Sequence, residues 1–342
     1  MALVELERLV TRFELSHRAF NVVDGVSLTV GAGETVGLVG ESGSGKSLTL
    51  RSIVHALPPK AVIAGGRISY DGRDFTRPSR RLLRSLRGHE IAMIFQDPTS
   101  ALNPVLTVGD QLMETLRQTA GVRRTRDRER RAVELLRLVG VPEPDRRLQS
   151  YPHELSGGMA QRVVIALALV GEPRLLLADE PTSALDVTVQ AQILQLLVDL
   201  QQRFEMSVLL VSHDLGVVAQ TCRRVYVMYA GEVVEEANVS ELFESPRHPY
   251  TVGLLASIPS IAEARRSERL PAIPGAPPDL AAVPSGCRFH PRCPLAIDEC
   301  RVGAVPLQEL GKHRAAACLR HELVTRERVV FAAAADTVGA AQ

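Results

Sequence analysis

The fold of this chain follows from one stretch, Gly40-Glu41-Ser42-Gly43-Ser44-Gly45-Lys46-Ser47, which fits the pattern G-x-x-x-x-G-K-S/T. The apolar residues 35–39 before it predict a strand, and a helical pattern begins at Leu48. Glycines let the backbone close around an anion, so that successive N–H groups and the positive end of the helix face one point. We therefore predict a phosphate-binding loop, in which Lys46 reaches the β- and γ-phosphates of a nucleotide and the Ser47 hydroxyl binds Mg²⁺.

Two carboxylates end an apolar run further along the chain, Leu175-Leu176-Leu177-Ala178-Asp179-Glu180. Ligands of open α/β sheets collect at the carboxyl ends of the strands. We therefore expect Asp179 to hold Mg²⁺ through water, and Glu180 to orient or activate a water for attack on the γ-phosphate.

A third motif precedes an apolar helix and predicts a second anion-binding helix start. It is Leu155-Ser156-Gly157-Gly158-Met159-Ala160-Gln161-Arg162.

The composition is ordinary for a globular protein, with 342 residues of which 45% are hydrophobic and 23% charged. Lys+Arg 40 against Asp+Glu 39 leaves almost no net charge, which gives no case for a nucleic-acid partner. The Arg-rich run at 123–131 contains acids and leads into a helical pattern, so we interpret it as a solvated helix start.

No apolar run approaches the ~20 residues that a membrane-spanning helix needs. The first residues show no secretion signal, so we expect a cytosolic protein that serves a membrane only by docking onto a partner.

Strand and helix patterns alternate along most of the chain. The predicted strands are 3–13, 22–30, 35–39, 67–70, 91–95, 174–178, 207–211 and 225–229, and the predicted helices are 104–140, 188–204 and one from 214. This alternation favours an α/β fold with a mostly parallel sheet that is covered by helices on both faces. The stretch of about 97–171 shows helical patterns only, and we expect it to be an inserted helical subdomain.

The character of the chain changes after residue 236. A short apolar helix is predicted to open at His248-Pro249-Tyr250, and an extended linker is indicated by Pro271, Pro274, Pro277, Pro278 and Pro284. Four of the five cysteines follow, and small residues at the end predict a frayed tail. We expect a nucleotide-binding domain at 1–260, a cysteine-bearing C-terminal extension at 261–328 and a flexible tail at 329–342.

These motifs together resemble those of the ATP-binding subunits of ABC transporters, over roughly residues 1–260. Residues 40–47 match the Walker A loop, and residues 175–180 match Walker B with the catalytic glutamate. Residues 155–161 match the LSGGQ signature, with Met159 in place of the usual Gln. The remaining matches are Gln96 in the Q-loop, Ser183-Ala184-Leu185-Asp186 in the D-loop and Val211-Ser212-His213-Asp214 with the switch histidine. The resemblance implies a RecA-like P-loop ATPase core with an antiparallel β subdomain.

The resemblance also implies roles for individual residues. The ATP-binding set would be Gly40, Ser42, Gly43, Ser44, Gly45, Lys46, Ser47, Leu48 and Asp179. Mg²⁺ would be bound through Ser47, Gln96 and Asp179, and catalysis would involve Glu180, His213 and Gln96. Two such cassettes face each other head to tail, so that ATP held by one would also be contacted by Ser156, Gly157 and Gly158 of the other. An aromatic residue usually stacks on adenine in this family, and Phe13 is the candidate with Phe20 as its rival.

Four cysteines in the extension form the pattern Cys287-x5-Cys293-x6-Cys300-x17-Cys318. A cytosolic setting argues against disulfides, and four soft ligands suit Zn²⁺ or an iron–sulfur cluster. The spacing fits neither a zinc ribbon nor a bacterial ferredoxin, so it leaves the metal open. His290 and His313 are possible substitute ligands, and four unrelated reduced thiols are the alternative. Cys222, in the core, is interpreted as an ordinary buried thiol.

The extension resembles the C-terminal region of dipeptide and oligopeptide importer ATPases, in Arg247-His248-Pro249-Tyr250-Thr251, in Ile273-Pro274-Gly275 and in the four cysteines. This resemblance favours a 4Fe-4S cluster on Cys287, Cys293, Cys300 and Cys318. It implies the ATP-hydrolysing subunit of a bacterial peptide importer at the cytoplasmic face of the inner membrane. The implied partners are a second homologous ATPase, two transmembrane permeases and an extracytoplasmic peptide-binding protein.

Three other functions compete with this one. The ATPase of a nickel or other small-solute importer shares the core, but the four-cysteine extension weighs against it. Soluble ABC ATPases that act on DNA or ribosomes generally carry two cassettes or a long coiled-coil insertion, and neither pattern occurs here. A module that binds ATP without cleaving it would not need Lys46, Asp179, Glu180 and His213 together.

Overall fold

Two β-sheets organise the part of the chain that the structure describes, residues 2–183, 185–257 and 272–331 of a computed structural model. The strands are β1 (Ala2–Leu15), β2 (Arg18–Gly31), β3 (Thr35–Val39), β4 (Ala61–Tyr70), β5 (Arg73–Asp74), β6 (Ile91–Ile94), β7 (Leu175–Asp179), β8 (Ser207–Ser212), β9 (Arg224–Tyr229), β10 (Glu232–Asn238), β11 (Gln308–Gly311) and β12 (Arg314–Ala316). The smaller sheet is antiparallel, with the order β2-β1-β4-β5. The larger sheet has the order β11-β12-β10-β9-β3-β8-β7-β6.

Helices connect and cover these strands. They are α1 (Lys46–Ile53), α2 (Arg80–Leu86), α3 (Pro98–Ala101), α4 (Val108–Gln118), α5 (Thr125–Leu138), α6 (Pro144–Arg147), α7 (Gly157–Ala168), α8 (Val187–Phe204), α9 (Leu215–Thr221), α10 (Val239–Glu244) and α11 (Pro249–Ala256). Among the described helices, none is long and apolar enough to cross a bilayer.

The centre of the larger sheet is parallel. Strand β3 pairs in parallel with β8 and β9, and β7 pairs in parallel with β6 and β8. Every residue of β7 and β8 is buried, as expected for parallel strands that are covered on both faces. The predicted α/β class is therefore confirmed, together with an antiparallel sheet beside the parallel one.

The region between β6 and β7 contains helices, as its pattern predicts, but the continuous helical pattern at 104–140 is divided. Helix α4 begins at the capping box of Thr107 and Asp110 and ends at Gln118, and α5 begins at Thr125 within the Arg-rich run. Gly121, with φ +64°, lies in the break. The apolar residues of both helices pack with α7 in one buried cluster. The boundaries of a subdomain at about 97 and 171 stay a prediction.

The C-terminal extension joins the larger sheet. Strand β12 pairs antiparallel with β10, where Glu235 lies opposite Ala316, and β11 pairs with β12. Phe289 of the extension is buried in the same apolar cluster as Tyr229 of β9. The described part of the predicted extension thus packs on the core.

Parts of three predicted features lie outside the described residues. The structure does not describe Pro271 of the predicted Pro-rich linker, residues 332–342 of the predicted tail, or Ala184 of the predicted D-loop. The division of the chain at 260 and 328 therefore stays a prediction.

We predict that Leu209→Ala destabilises the fold by about 2–5 kcal/mol, because Leu209 is fully buried in β8 and the smaller side chain leaves a cavity. The free energy of unfolding from urea titrations measures this loss. Val62→Ala, on the exposed face of β4, is the matched control and should change that free energy by only about 0.5 kcal/mol. Equal losses in the two variants would contradict the placement of Leu209 in the core.

Candidate functional site

The phosphate-binding loop lies between β3 and α1, where the sequence predicts it. Gly40 has φ +154°, and a Cβ there would lie 2.1 Å from the carbonyl oxygen of Met228. Gly45 has φ +103°, and a Cβ there would lie 2.5 Å from the carbonyl oxygen of Val22. Only glycine permits such approaches. These two glycines therefore let the loop pack directly against the backbones of β2 and β9.

Lys46 is buried inside this loop. Its Nζ donates hydrogen bonds to the carbonyl oxygens of Gly40 at 2.8 Å and Glu41 at 2.9 Å. Burial lowers the pKa of the Lys46 ammonium, while the carboxylates of Glu180, Asp179 and Glu41 act to raise it. The Lys46 ammonium is thus held by backbone carbonyl oxygens at the start of the loop, and it also interacts with the carboxylates of Asp179 and Glu180 at the end of β7.

The predicted magnesium ligands Ser47 and Asp179 contact each other. The Ser47 Oγ donates to Asp179 Oδ1 at 2.7 Å. Burial at the end of β7 raises the pKa of Asp179, and the hydrogen bond from Ser47 and the positive charge of Arg51 oppose that shift. A hydroxyl and a carboxylate are oxygen ligands of the kind that Mg²⁺ prefers, so this donor pair fits the ion.

Glu180 contacts the two other residues that are predicted to be catalytic. Its Oε2 accepts a hydrogen bond from Gln96 Nε2 at 3.2 Å and lies 3.1 Å from His213 Nδ1. Its backbone is left-handed, with φ +46°, and its N–H donates to the carbonyl oxygen of Val211 at 3.1 Å. The structure therefore brings Gln96 and His213 together at the carboxylate of Glu180.

One open pocket of about 590 Å³ joins these groups. It is lined by Phe13, Val22, Ser42, Gly43, Gly45, Lys46, Ser47, Leu48, Arg51, Gln96, Glu180 and His213. Its volume lies in the range of small-molecule sites. Three predicted ATP-binding residues are not part of this lining, namely Gly40, Ser44 and Asp179. They adjoin it through the loop and through the hydrogen bond from Ser47.

One aromatic residue lines this pocket together with the phosphate loop. Phe13 lines the pocket, and Phe20 stacks on Phe13 with ring centroids 6.0 Å apart and an interplanar angle of 26°. Phe20 is not part of the lining, which favours Phe13 over Phe20 as a base-stacking residue.

Sequence reasoning missed two residues of this pocket, Val22 and Arg51. Arg51 lies four residues after Ser47 in α1, which places both on one face of the helix, so this spacing could have identified it. Val22 has no such local signal, because it lies at a register shift between β1 and β2 that only the folded sheet creates.

The predicted signature residues lie at the start of α7. The Ser156 hydroxyl caps this helix by accepting from the Met159 N–H at 3.4 Å, and both Ser156 and Gly157 are exposed. A Cβ at Gly158 would lie 2.6 Å from Cγ1 of Val189 in α8. Ser156, Gly157 and Gly158 are not part of the lining of the nucleotide-sized pocket. Within one chain, the structure does not bring the signature to the phosphate loop.

The four cysteines of the extension line one small, mainly apolar cavity of about 20 Å³. All four are free thiols. Burial raises the pKa of Cys293 to about 12 and that of Cys318 to about 11, and the neighbouring cysteines add to each shift. The two ends of the Cys287-to-Cys318 pattern therefore meet in space, as a shared ligand set requires.

The four thiols are not arranged as a metal site in the part of the chain that the structure describes. Within residues 2–183, 185–257 and 272–331, no group of three or more His, Cys, Asp or Glu side chains is arranged to hold a metal ion. His290 lines the cysteine cavity, whereas His313 lies elsewhere, at 3.7 Å from Glu236. Cys222 is apart from them and packs against the core, and its burial raises the pKa of the thiol to about 12.

Comparisons with known proteins agree with this geometry. A family model described as ABC transporter matches residues 23–183, and one described as oligopeptide/dipeptide transporter, C-terminal region, matches residues 234–300. A relative from Sinorhizobium fredii, "Probable peptide ABC transporter ATP-binding protein y4tR", is 49% identical over 319 residues, which cover 93% of this chain and 95% of that protein. The "Dipeptide transport ATP-binding protein DppD" of Escherichia coli is 45% identical over 318 residues, with 93% and 96% covered.

Solved structures agree as well. The dimeric structure of MJ0796, described as a bacterial ABC transporter cassette, matches with a TM-score of 0.62 at 30% identity, over 69% of this chain and 98% of that one. The predicted RecA-like P-loop ATPase fold is therefore confirmed. The chain is an ATPase and belongs to the ATP-binding subunits of ABC transporters, with a C-terminal region of the oligopeptide/dipeptide transporter type.

Proposed function

We propose that this ATPase is the energy-coupling subunit of a bacterial importer of dipeptides or oligopeptides. The observation that carries the proposal is the convergence of Lys46, Ser47, Gln96, Glu180 and His213 on one pocket. The substrate class follows from the extension and the relatives. The extension matches the oligopeptide/dipeptide transporter C-terminal region, and relatives that align with this chain over nearly their whole length are named for peptide and dipeptide transport.

ATP would bind with its phosphates in the loop at 40–47 and its base against Phe13. Lys46 would exchange a backbone carbonyl partner for a phosphate oxygen. Ser47 and Asp179 would hold Mg²⁺, with Gln96 as the further ligand. Bound Mg²⁺ supplies positive charge that stabilises the phosphate oxygens.

Glu180 would orient and deprotonate the water that attacks the γ-phosphate. His213, whose Nδ1 lies 3.1 Å from the Glu180 carboxylate, would orient that carboxylate and donate a hydrogen bond to the γ-phosphate. The hydrogen bond from Gln96 would link this cluster to the helices that follow β6. Hydrolysis state would thereby be transmitted to the helical region at about 97–171.

The exposed signature would act on a second cassette. Ser156, Gly157 and Gly158 lie at a helix start, where N–H groups and the helix dipole favour an anion. Because they do not line the pocket of their own chain, they would close over ATP that is held by the facing subunit. ATP would then join two cassettes, and hydrolysis would release them.

The assembly would contain a second homologous ATPase, two transmembrane permeases and an extracytoplasmic peptide-binding protein. We place this chain at the cytoplasmic face of the inner membrane, where the permeases would hold it. Residues 1–260 would form the nucleotide-binding domain and residues 261–328 the extension.

A 4Fe-4S cluster would be held by Cys287, Cys293, Cys300 and Cys318. Four free thiols on one cavity are the donor set that such a cluster needs. The cavity of about 20 Å³ is small, so the thiols would have to move apart on binding. The cluster would stabilise the extension by linking its loops, since transport needs no redox step.

Glu180→Gln should retain ATP binding and lower hydrolysis by at least about 100-fold, because the amide cannot accept the proton of the attacking water. Turnover is measured in the assembled transporter, and binding with a fluorescent ATP analogue. Glu244→Gln, on the exposed end of α10, is the control and should hydrolyse ATP at the wild-type rate. Wild-type turnover in Glu180→Gln would remove Glu180 from the mechanism.

Ser156→Arg should abolish ATP-dependent association of cassettes, because the long cation fills the surface that must approach the facing nucleotide. Association is measured by size-exclusion chromatography in the Glu180→Gln background, with this chain alone and with its co-expressed partner ATPase. Ser85→Arg, exposed on α2, is the control and should associate normally. Nucleotide binding by the Ser156→Arg chain should persist, and association undiminished by the substitution would contradict the trans role.

Anaerobically purified full-length protein should contain about four irons per chain and show broad visible absorption. Cys293→Ser should lose most of this iron, whereas Cys222→Ser, outside the cavity, should keep it. Iron is measured by elemental analysis. Protein without iron or visible absorption would exclude the cluster, and bound zinc in its place would identify a different metal.

A further inference from the structure

The polar groups of Glu41, the second residue of the phosphate loop, contact three different parts of the chain. Its N–H donates to the Tyr250 hydroxyl at 2.7 Å. Its carbonyl oxygen accepts from Lys46 Nζ at 2.9 Å. Its carboxylate accepts two hydrogen bonds from Arg292, at 2.8 and 3.1 Å. The backbone and side chain of this residue are therefore fixed by α11 and by the extension, while the same residue holds the loop lysine.

Arg292 is built into the extension on its other sides. It immediately precedes Cys293, and its side chain is only 7% exposed. Its Nε donates to the carbonyl oxygen of Pro274 at 2.8 Å, and its guanidinium lies 5.9 Å from the ring centroid of Tyr229. The planar guanidinium matches a carboxylate in a bidentate pair, which a lysine cannot reproduce.

Removing Arg292 would leave the Glu41 carboxylate without its counter-ion in a largely buried place. Such a loss is costly, because an unpaired buried charge drives local rearrangement. A movement of Glu41 would displace its carbonyl oxygen, which accepts from Lys46, and with it the start of the phosphate loop. Arg292 itself does not line the pocket, so its effect on a nucleotide would act through Glu41.

We propose that Arg292 is a positioning residue for nucleotide binding, which holds the start of the phosphate loop through Glu41 and so makes nucleotide affinity depend on the docked extension. The inference rests on the proposed binding of ATP at residues 40–47. It requires no metal on the neighbouring cysteines, because each contact that carries it is between protein atoms.

The test is the dissociation constant of a non-hydrolysable fluorescent ATP analogue with Mg²⁺, measured on the full chain. Arg292→Met should raise it by about tenfold, the loss of a charged hydrogen-bonded pair. Arg292→Lys should restore part of the affinity, since it keeps the charge and loses the bidentate geometry. Glu41→Gln should also raise the dissociation constant. In the double variant Arg292→Met/Glu41→Gln, the constant should be no more than about twofold above that of the single variant that binds less tightly.

Arg314→Met is the matched control. Arg314 is likewise a buried arginine of the extension that binds the cassette, at Ser245 and Glu235, but it does not contact the phosphate loop. It should lower the thermal midpoint while the dissociation constant stays within about twofold of wild type.

Two results would overturn the inference. One is wild-type affinity in Arg292→Met, and the other is independent, multiplying effects of the Arg292 and Glu41 substitutions. If circular dichroism shows that Arg292→Met does not fold, the dissociation constants of Arg292→Lys and Glu41→Gln are compared with that of the wild type instead. Wild-type affinity in both variants would then overturn the inference. Wild-type protein that binds no nucleotide would instead contradict the proposed ATP site, which keeps the two failures distinct.

Discussion

The parallel register of the larger sheet is the constraint on which the site depends. Val39 of β3 pairs with Ser212 of β8, and Asp179 of β7 pairs with Val211 of the same strand. The residues that follow these pairs, which are the phosphate loop, Glu180 and His213, must therefore emerge at one edge of the sheet. A shift of register by one residue would separate the carboxylate from the histidine and would turn every buried side chain of the strand to the other face.

Much of this arrangement could be predicted because its signals are local. The loop at 40–47 and the carboxylates at 179–180 each combine a strand end with the residue types that its chemistry needs, so their meaning does not require knowledge of distant contacts. The break at 119–124 was predicted only in part: the Arg-rich run at 123–131 indicates a helix start, whereas residues 104–140 were predicted as one continuous helical pattern. The contact of Arg292 with Glu41 has no sequence signature, because it joins segments that meet only after the sheet has formed.

The signature helix shows why a motif does not by itself separate function from packing. Gly158 is required within its own chain, because a side chain there would collide with Val189 of α8. Ser156 caps the helix and is exposed, so it satisfies a local need and also remains free to meet another molecule. The motif at 156–158 thus meets a packing requirement within its own chain and also leaves the polar groups of Ser156 exposed to solvent. Sequence matching detects the string and cannot assign its residues to one purpose or the other.

The pairing of β12 with β10 covers one edge of the cassette's part of the larger sheet. A cassette that was cut after α11 would present the bare backbone amides and carbonyls of β10 to solvent, and such groups recruit strands from other molecules. The C-terminal region therefore covers this edge of β10 as well as adding contacts of its own. A shorter relative would need a substitute for this cover, such as charged residues or a proline on the strand that is left unpaired.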